Sequence, residues 1–490
     1  MPVISTGNTE KRRSARQFGR FVIVVDPTTC TTPKHLNSSK GRMFRVLGVL
    51  TLALFIVLAG CGGLTGSKRH DPPPPPSGGI TAVNHIIYLL QENRSFDQYF
   101  GQLNAYRQSQ GLSTDVDVTP ANASQLSYDH STTFTPFHMN SQCVEEMSSY
   151  WNESHNDWNH FAPTTATPLM DGFANSAGGD SRHSNPPGFD INGRRVMGYY
   201  EDIDLPYYYF MASQFAISDH WFSPIMTNTP ANRMYAMAGT SHGVVNKPVG
   251  QLNIPTIFDE LQAAKITWKN YVPDFPNGSS LKAFAAYTKY LDTNIVPMSQ
   301  YFKDLKKGKL PQVVFIDRDS HDGLDEHPGV GISVQKGAAY VKGIIDALMQ
   351  SSAWKDSVFF LTYDEAGGAY DHEPPISMPS PDGIPPVLGP NDTCTTTTGP
   401  MCDFTYTGFR LPNIVISPFA KEHYVDHTPM DTTAILRFIE KRFSLQTLTA
   451  RDAAQPDISF FFDFANSPNL NPPKPPEQPT GGPCYVTSLP

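Results

Sequence analysis

Cysteine is scarce in this chain, at six among 490 residues, and no Cys-x-x-Cys spacing occurs. That argues against a structural zinc cluster. No block of basic residues lies in the globular part and the net charge is −9, so nucleic acid is not an expected partner. No Walker A loop and no His-Glu-x-x-His motif is present, which removes P-loop NTPases and zincins. There are no internal repeats. An apolar run from Val46 to Ala59 falls short of the ~18 residues that a membrane-spanning helix needs.

That short run has another reading. Lys40, Arg42 and Arg45 precede it and Leu58-Ala59-Gly60-Cys61 ends it, the plan of an export signal. The final four residues resemble the bacterial lipobox, which implies cleavage before Cys61 and its attachment to lipid. The expected location is therefore outside the cytoplasm, lipid-anchored to the cell envelope or secreted. Residues 1–42 fit poorly ahead of such a signal, so the native start is expected at Met43. Arg12-Arg13 is no twin-arginine signal, because Phe21–Val25 is too short to follow one.

The chain divides into a signal segment (1–60), a Pro/Gly-rich tether (61–80), a globular domain (81–465) and a proline-rich tail (466–490). About 400 globular residues suffice for one large domain or two fused ones. Export makes the remaining cysteines disulfide candidates. Local spacing favours Cys394–Cys402, which leaves Cys143–Cys484 by elimination, although four cysteines allow three pairings.

Apolar runs at His85–Leu90, Ile266–Val272, Val313–Ile316, Val358–Thr362 and Asn413–Ser417 read as strands. Helical spacing marks Phe258–Lys265, Ile332–Gln350 and Asp431–Phe443. This alternation predicts an α/β fold with a mainly parallel central sheet and helices on both faces. The stretch 104–198 reads as long loops with short helices, and Pro374–Phe404 as a surface excursion.

Two strands deliver adjacent oxygen-bearing residues at their carboxyl ends, Glu92/Asn93 and Asp364/Glu365. Ligands gather at such ends in open α/β sheets, and four hard oxygen donors there would hold a divalent metal. The bland alternative is helix capping by Asn93 and Asp364 with solvated glutamates. Gly367-Gly368 would let the backbone turn tightly or approach a ligand. Thr227 and Thr229, in Thr-Asn-Thr-Pro-Ala-Asn-Arg, precede a helix. A threonine hydroxyl there is either an ordinary cap or a nucleophile whose pKa a metal lowers. His321, His327 and His372 follow strands beside acidic residues, and His155 and His160 occupy a Trp-rich stretch. Each could bind phosphoryl oxygen or protonate a leaving group, or serve only as a hydrogen-bonded structural residue.

Gln91-Glu92-Asn93-Arg94-Ser95-Phe96-Asp97-Gln98-Tyr99-Phe100-Gly101 resembles the opening signature of the bacterial phosphoesterase family, which holds non-specific phospholipases C and acid phosphatases. Met170–Phe173, Thr229–Tyr235, Asp325–Pro328, Asp364–Pro375 and Val425–Thr428 followed by Asp431–Phe443 match further family segments in order. The resemblance implies an alkaline-phosphatase-like sandwich and one metal held by Glu92, Asn93, Asp364, Glu365 and the Thr229 nucleophile. It also implies catalytic roles for His327 and His372, with Asn232, His155 and His321 as substrate-binding candidates. The family pattern Thr/Ser-x-Pro-Asn reads Thr229-Pro230-Ala231-Asn232 here, which keeps Thr227 open as nucleophile. Ala366 stands where members often have histidine. Calcium, magnesium or manganese is favoured, with zinc left open. The expected reaction is phospholipase C hydrolysis of a phospholipid. An acid phosphatase and a non-catalytic surface-binding lipoprotein are the alternatives.

Overall fold

The structure is a computed structural model that describes residues 78–165, 167–393, 402–487 and 489. The export signal, Cys61, most of the tether and Cys394 lie outside the described residues. The described residues fall in one compact unit, Pro72–Pro490.

Six strands form the central sheet: β1 His85–Gln91, β2 Trp268–Val272, β3 Ile295–Pro297, β4 Val313–Ile316, β5 Ser357–Tyr363 and β6 Ile414–Ile416. Their order is β6-β5-β1-β4-β2-β3. All neighbours are parallel except β6, which runs antiparallel at the edge beside β5. Strands β4 and β5 are buried throughout, and β1 in all but His85. A strand covered on both faces has no polar side, so these segments read as continuous apolar runs rather than alternating ones.

Helix boundaries differ from the sequence reading by local chemistry. The helix expected over 332–350 spans Val334–Met349, because Ser333 caps it by accepting from the Lys336 N–H. It buries Val334, Ala338, Val341, Ile344, Ile345 and Leu348, an apolar stripe at helical spacing. The helix expected from Asp431 starts at Ala434, because Met430-Asp431 pairs with Trp221-Phe222 as a short parallel ladder. The stretch 104–198 carries helices Trp151–Trp158 and Phe173–His183. The Pro-rich excursion ends on Phe404, which is buried against Trp151 and Tyr235.

Cys143 and Cys484 are bridged, the pairing reached by elimination. The tail is laced down around the bridge, with the Gln142 N–H donating to Pro483 O and the Tyr485 N–H to Ser141 Oγ.

The register of β1 and β5 sets up the site. Gln91 pairs with Tyr363 as the last residue of each strand, so Glu92 and Asp364 leave the sheet level with one another.

Candidate active site

Immediately past the strand ends the two acidic segments bind each other. The Asn93 N–H donates to Asp364 Oδ1 at 3.1 Å, and the Arg94 N–H to Glu365 O at 3.1 Å. Asn93 adopts φ 58°, a left-handed conformation that asparagine tolerates better than most residues. Gly367, at φ 67°, backs onto it; a Cβ there would lie 2.5 Å from Asn93 O. The glycine pair thus permits close approach between the two strand ends.

Thr229 begins the helix Thr229–Ala238, with Asn228 as its extended N-cap and Gly239 as its left-handed C-cap. Its Oγ1 lies 3.0 Å from Glu92 Oε2 and 3.2 Å from Asn93 Oδ1. Thr227 points elsewhere, its buried hydroxyl donating to Val245 O at 2.5 Å. The structure therefore brings Thr229, and not Thr227, to the acidic segments.

Glu92, Asn93, Thr229, His327 and Glu365 line a cleft of about 320 Å3 together with Arg318, Ser149, Tyr150, Asn246 and Lys247. Two of the neighbouring cations were not foreseen as site residues. The Arg233 Nε donates to Asp364 Oδ2 at 3.0 Å and Glu92 Oε1 at 3.2 Å, and Arg318 Nη1 pairs with Glu92 Oε1. Arg233 was legible in principle: it sits four residues after Thr229 in one helix, hence on the same face.

Charge is unevenly shared among the carboxylates. Burial pushes Glu92 up, but Arg318 and Arg233 outweigh it and hold its pKa below the ordinary value. Burial, followed by the charge of Glu92, lifts Asp364 to about 7. Burial and then Asp364 push Glu365 well above the usual range, although the Ser149 hydroxyl and the Gly367 N–H both donate to it.

The donors fit a divalent ion. A hydroxyl carries one hydrogen, so Thr229 satisfies only one of the two acceptor oxygens facing it. Three oxygens, from Glu92, Asn93 and Thr229, thus converge beside two crowded carboxylic groups, an arrangement an oxygen-preferring cation would stabilise.

His327 stands at this cleft. Its Nδ1 donates to Pro328 O at 2.7 Å, and its Nε2 lies 3.0 Å from Asn93 Nδ2. Beside it, Glu326 turns inward and accepts from the hydroxyls of Tyr99, Tyr208 and Tyr363 at 2.5–2.7 Å, which pins the loop.

The remaining predicted residues are not brought to the cleft. His372 sits in a second cluster, with Nδ1 2.8 Å from Asp97 Oδ2 and Nε2 3.2 Å from Asp117 Oδ1. Asn232 is buried and fully used within its own turn, accepting from the Ile225 N–H and donating to Thr227 O. His155 stacks on Trp151 with ring centroids 4.1 Å apart and bonds Trp151 O. His160 contacts Asn156. His321 is exposed, its backbone held by Asp274. These side chains carried plausible chemistry, but their placement depends on loop packing that spacing does not reveal.

Gly239-Thr240-Ser241-His242-Gly243 has the Gly-x-Ser-x-Gly spacing of a hydrolase nucleophile turn. The structural context removes it, because it follows the C-terminus of a helix rather than a strand and Ser241 is buried.

The chain matches the Phosphoesterase family over residues 83–446. It is 29% identical over 421 residues to non-specific phospholipase C1 of Arabidopsis thaliana, covering 80% of this chain and 73% of that protein. It is likewise 29% identical over 445 residues to phospholipase C B of Mycobacterium tuberculosis, covering 81% and 80%. Among solved structures, murine ectonucleotide pyrophosphatase/phosphodiesterase 5 superposes with TM-score 0.33 at 10% identity, over 53% of this chain and 95% of that one. The chain belongs to the Phosphoesterase family and is a hydrolase of phosphoester bonds.

Proposed function

We propose that this chain is a phospholipase C with Thr229 as its nucleophile, exported and held on the cell envelope by lipid on Cys61. One observation carries the nucleophile: Thr229 Oγ1 is 3.0 Å from Glu92 Oε2 at the wall of the cleft. Its hydrogen points to a carboxylate, and its remaining lone pair is free for phosphorus. The first turn of its helix leaves backbone N–H groups without helical partners, and these favour an anionic phosphoryl oxygen. Arg318 and Lys247 line the same cleft and would draw in a phosphodiester by charge.

Glu92, Asn93, Asp364, Glu365 and Thr229 would hold a divalent ion. When bound, that ion lowers the hydroxyl pKa and neutralises phosphoryl charge; the all-oxygen set favours calcium, magnesium or manganese over zinc. Among the described residues lining the cleft, His327 is the one histidine, so protonation of the leaving alcohol falls to it rather than to His372, once its Nε2 has taken a proton and released the Asn93 amide. In-line attack then releases diacylglycerol, and water frees the phosphorylated head group from Thr229. The names of the relatives support lipid as substrate, and the Cys143–Cys484 bridge suits an oxidising compartment.

The test is turnover of phosphatidylcholine and of p-nitrophenyl phosphate by the purified protein, with and without chelator. Metal-dependent lipid turnover alone supports the proposal. Monoester turnover alone makes it an acid phosphatase, and no turnover with any of several metals makes it a binding lipoprotein. Labelling with radioactive palmitate, abolished by Cys61→Ala, tests the anchor.

A further inference from the structure

His372 belongs to a cluster that the phosphoester reaction does not use. Asp97, Asp117, Asp219, Asp371 and Glu373 gather there with His220, His372, His427 and Arg410. Arg410 is fully buried and reaches Asp371 at 2.7 Å, Asp97 at 3.0 Å and Asp117 at 3.2 Å. Three of the five carboxylates bond the one guanidinium, and with neutral histidines the cluster carries a formal excess of four negative charges.

The two inner imidazoles are set the same way. The Nδ1–H of His220 donates to Asp219 Oδ1 at 2.8 Å, and that of His372 to Asp97 Oδ2 at 2.8 Å. Both carboxylates are buried. Each ring thereby turns its Nε2 toward Asp117 and Glu373. His372 Nε2 is 3.2 Å from Asp117 Oδ1 and 3.8 Å from Glu373 Oε1, while His220 Nε2 is 3.8 Å from Asp117 Oδ2 and 4.0 Å from Glu373 Oε2. His372 Nε2 is within hydrogen-bond distance of Asp117, whereas His220 Nε2, 3.8 Å from Asp117 and 4.0 Å from Glu373, is too far for one and leaves room for a metal ion. A carboxylate behind the Nδ1 of a histidine is also the arrangement that orients metal-ligating imidazoles.

We propose that Asp117, His220 and Glu373 bind a divalent transition metal of zinc type, separate from the ion beside Thr229. Ligands at about 2.0–2.2 Å from one ion lie no more than about 4.4 Å apart; His220 Nε2 meets that limit to Asp117 and to Glu373, and all three ligand atoms lie within 4.8 Å of one another. Mixed imidazole and carboxylate donors suit zinc, whereas the all-oxygen set at Thr229 suits a harder ion. Asp117 and Glu373 are each one-third exposed, so the site opens to solvent for loading. The ion would tie together three chain segments, around residues 117, 220 and 372, in a structural role.

The test is zinc content and thermal midpoint of the full-length chain after zinc loading and dialysis. The wild type should hold one equivalent more than Glu373→Gln and than His220→Asn, and zinc should raise its midpoint by several degrees but leave theirs unmoved. Asp364→Asn should keep that equivalent, because it alters only the other site. Circular dichroism of Glu373→Gln, a partly exposed position, checks that the variant is folded. Equal zinc in Glu373→Gln and wild type would overturn the proposal, as would an absent zinc equivalent in the wild type. Either result would mean that protonated histidines alone balance these carboxylates.

Discussion

His327 determines which atom of Asn93 faces Thr229. A carbonyl only accepts, so the bond to Pro328 O places a hydrogen on His327 Nδ1 and leaves Nε2 to accept from Asn93 Nδ2. The amide is then turned with Oδ1 toward the threonine, 3.2 Å away. Replacing His327 with alanine should lower manganese affinity at this site about 10–100-fold, read by electron paramagnetic resonance titration. His372→Asn should leave that affinity unchanged. Equal losses in both variants would show that His327 has no orienting role.

The two threonines separate by experiment. Thr229→Ala should abolish lipid turnover without reducing metal-free stability. Thr227→Ala removes a buried bond to Val245 O and should cost about 1–3 kcal/mol of stability while turnover persists. An active Thr229→Ala enzyme would sink the nucleophile assignment.

Arg233 stands in for cationic charge between Glu92 and Asp364. Arg233→Met leaves two buried carboxylates short of a partner and should destabilise the metal-free protein by roughly 3–5 kcal/mol. Added divalent ion should then raise the melting temperature more in the variant than in the wild type. A smaller rise in the variant would mean that the guanidinium helps to build the metal site rather than relieving its charge.

Burial lowers the His155 pKa to about 4, against a weaker opposing pull from Trp151 O. The folded ring therefore stays neutral where the unfolded chain, with a pKa of about 6.5, takes a proton. Its contribution is fully present above about pH 6.5 and is lost as pH falls toward 4, up to about 3 kcal/mol. His155→Phe, which keeps the stacking on Trp151, should flatten the urea midpoint between pH 7.5 and 4.5. Parallel pH curves for the two proteins would refute this.

The strands that carry the site were legible because β1 and β5 are covered on both faces and so are apolar throughout. The oxygen-bearing pairs were legible because they sit directly after those runs. The register was not: Gln91 opposite Tyr363 is a fact of sheet order between distant segments. The three histidines beside acidic residues looked alike in sequence. Only packing separates His327 at the cleft from His372 on Asp97 and Asp117, and from exposed His321. Arg318 escaped notice because a cation among candidate metal ligands runs against simple charge counting. It is tolerable here because three carboxylic side chains crowd two adjacent strand ends.

The bridge between Cys143 and Cys484 reaches further than the tail it fastens. Six residues beyond Cys143, the Ser149 hydroxyl donates to Glu365 at 2.7 Å, and Tyr150 lines the cleft beside it. The two cysteines are 341 residues apart, so the clamp on this wall cannot close until nearly all of the folded domain has been made and has met an oxidant. A chain whose cysteines are still reduced lacks this brace on the Ser149–Tyr150 wall of the cleft.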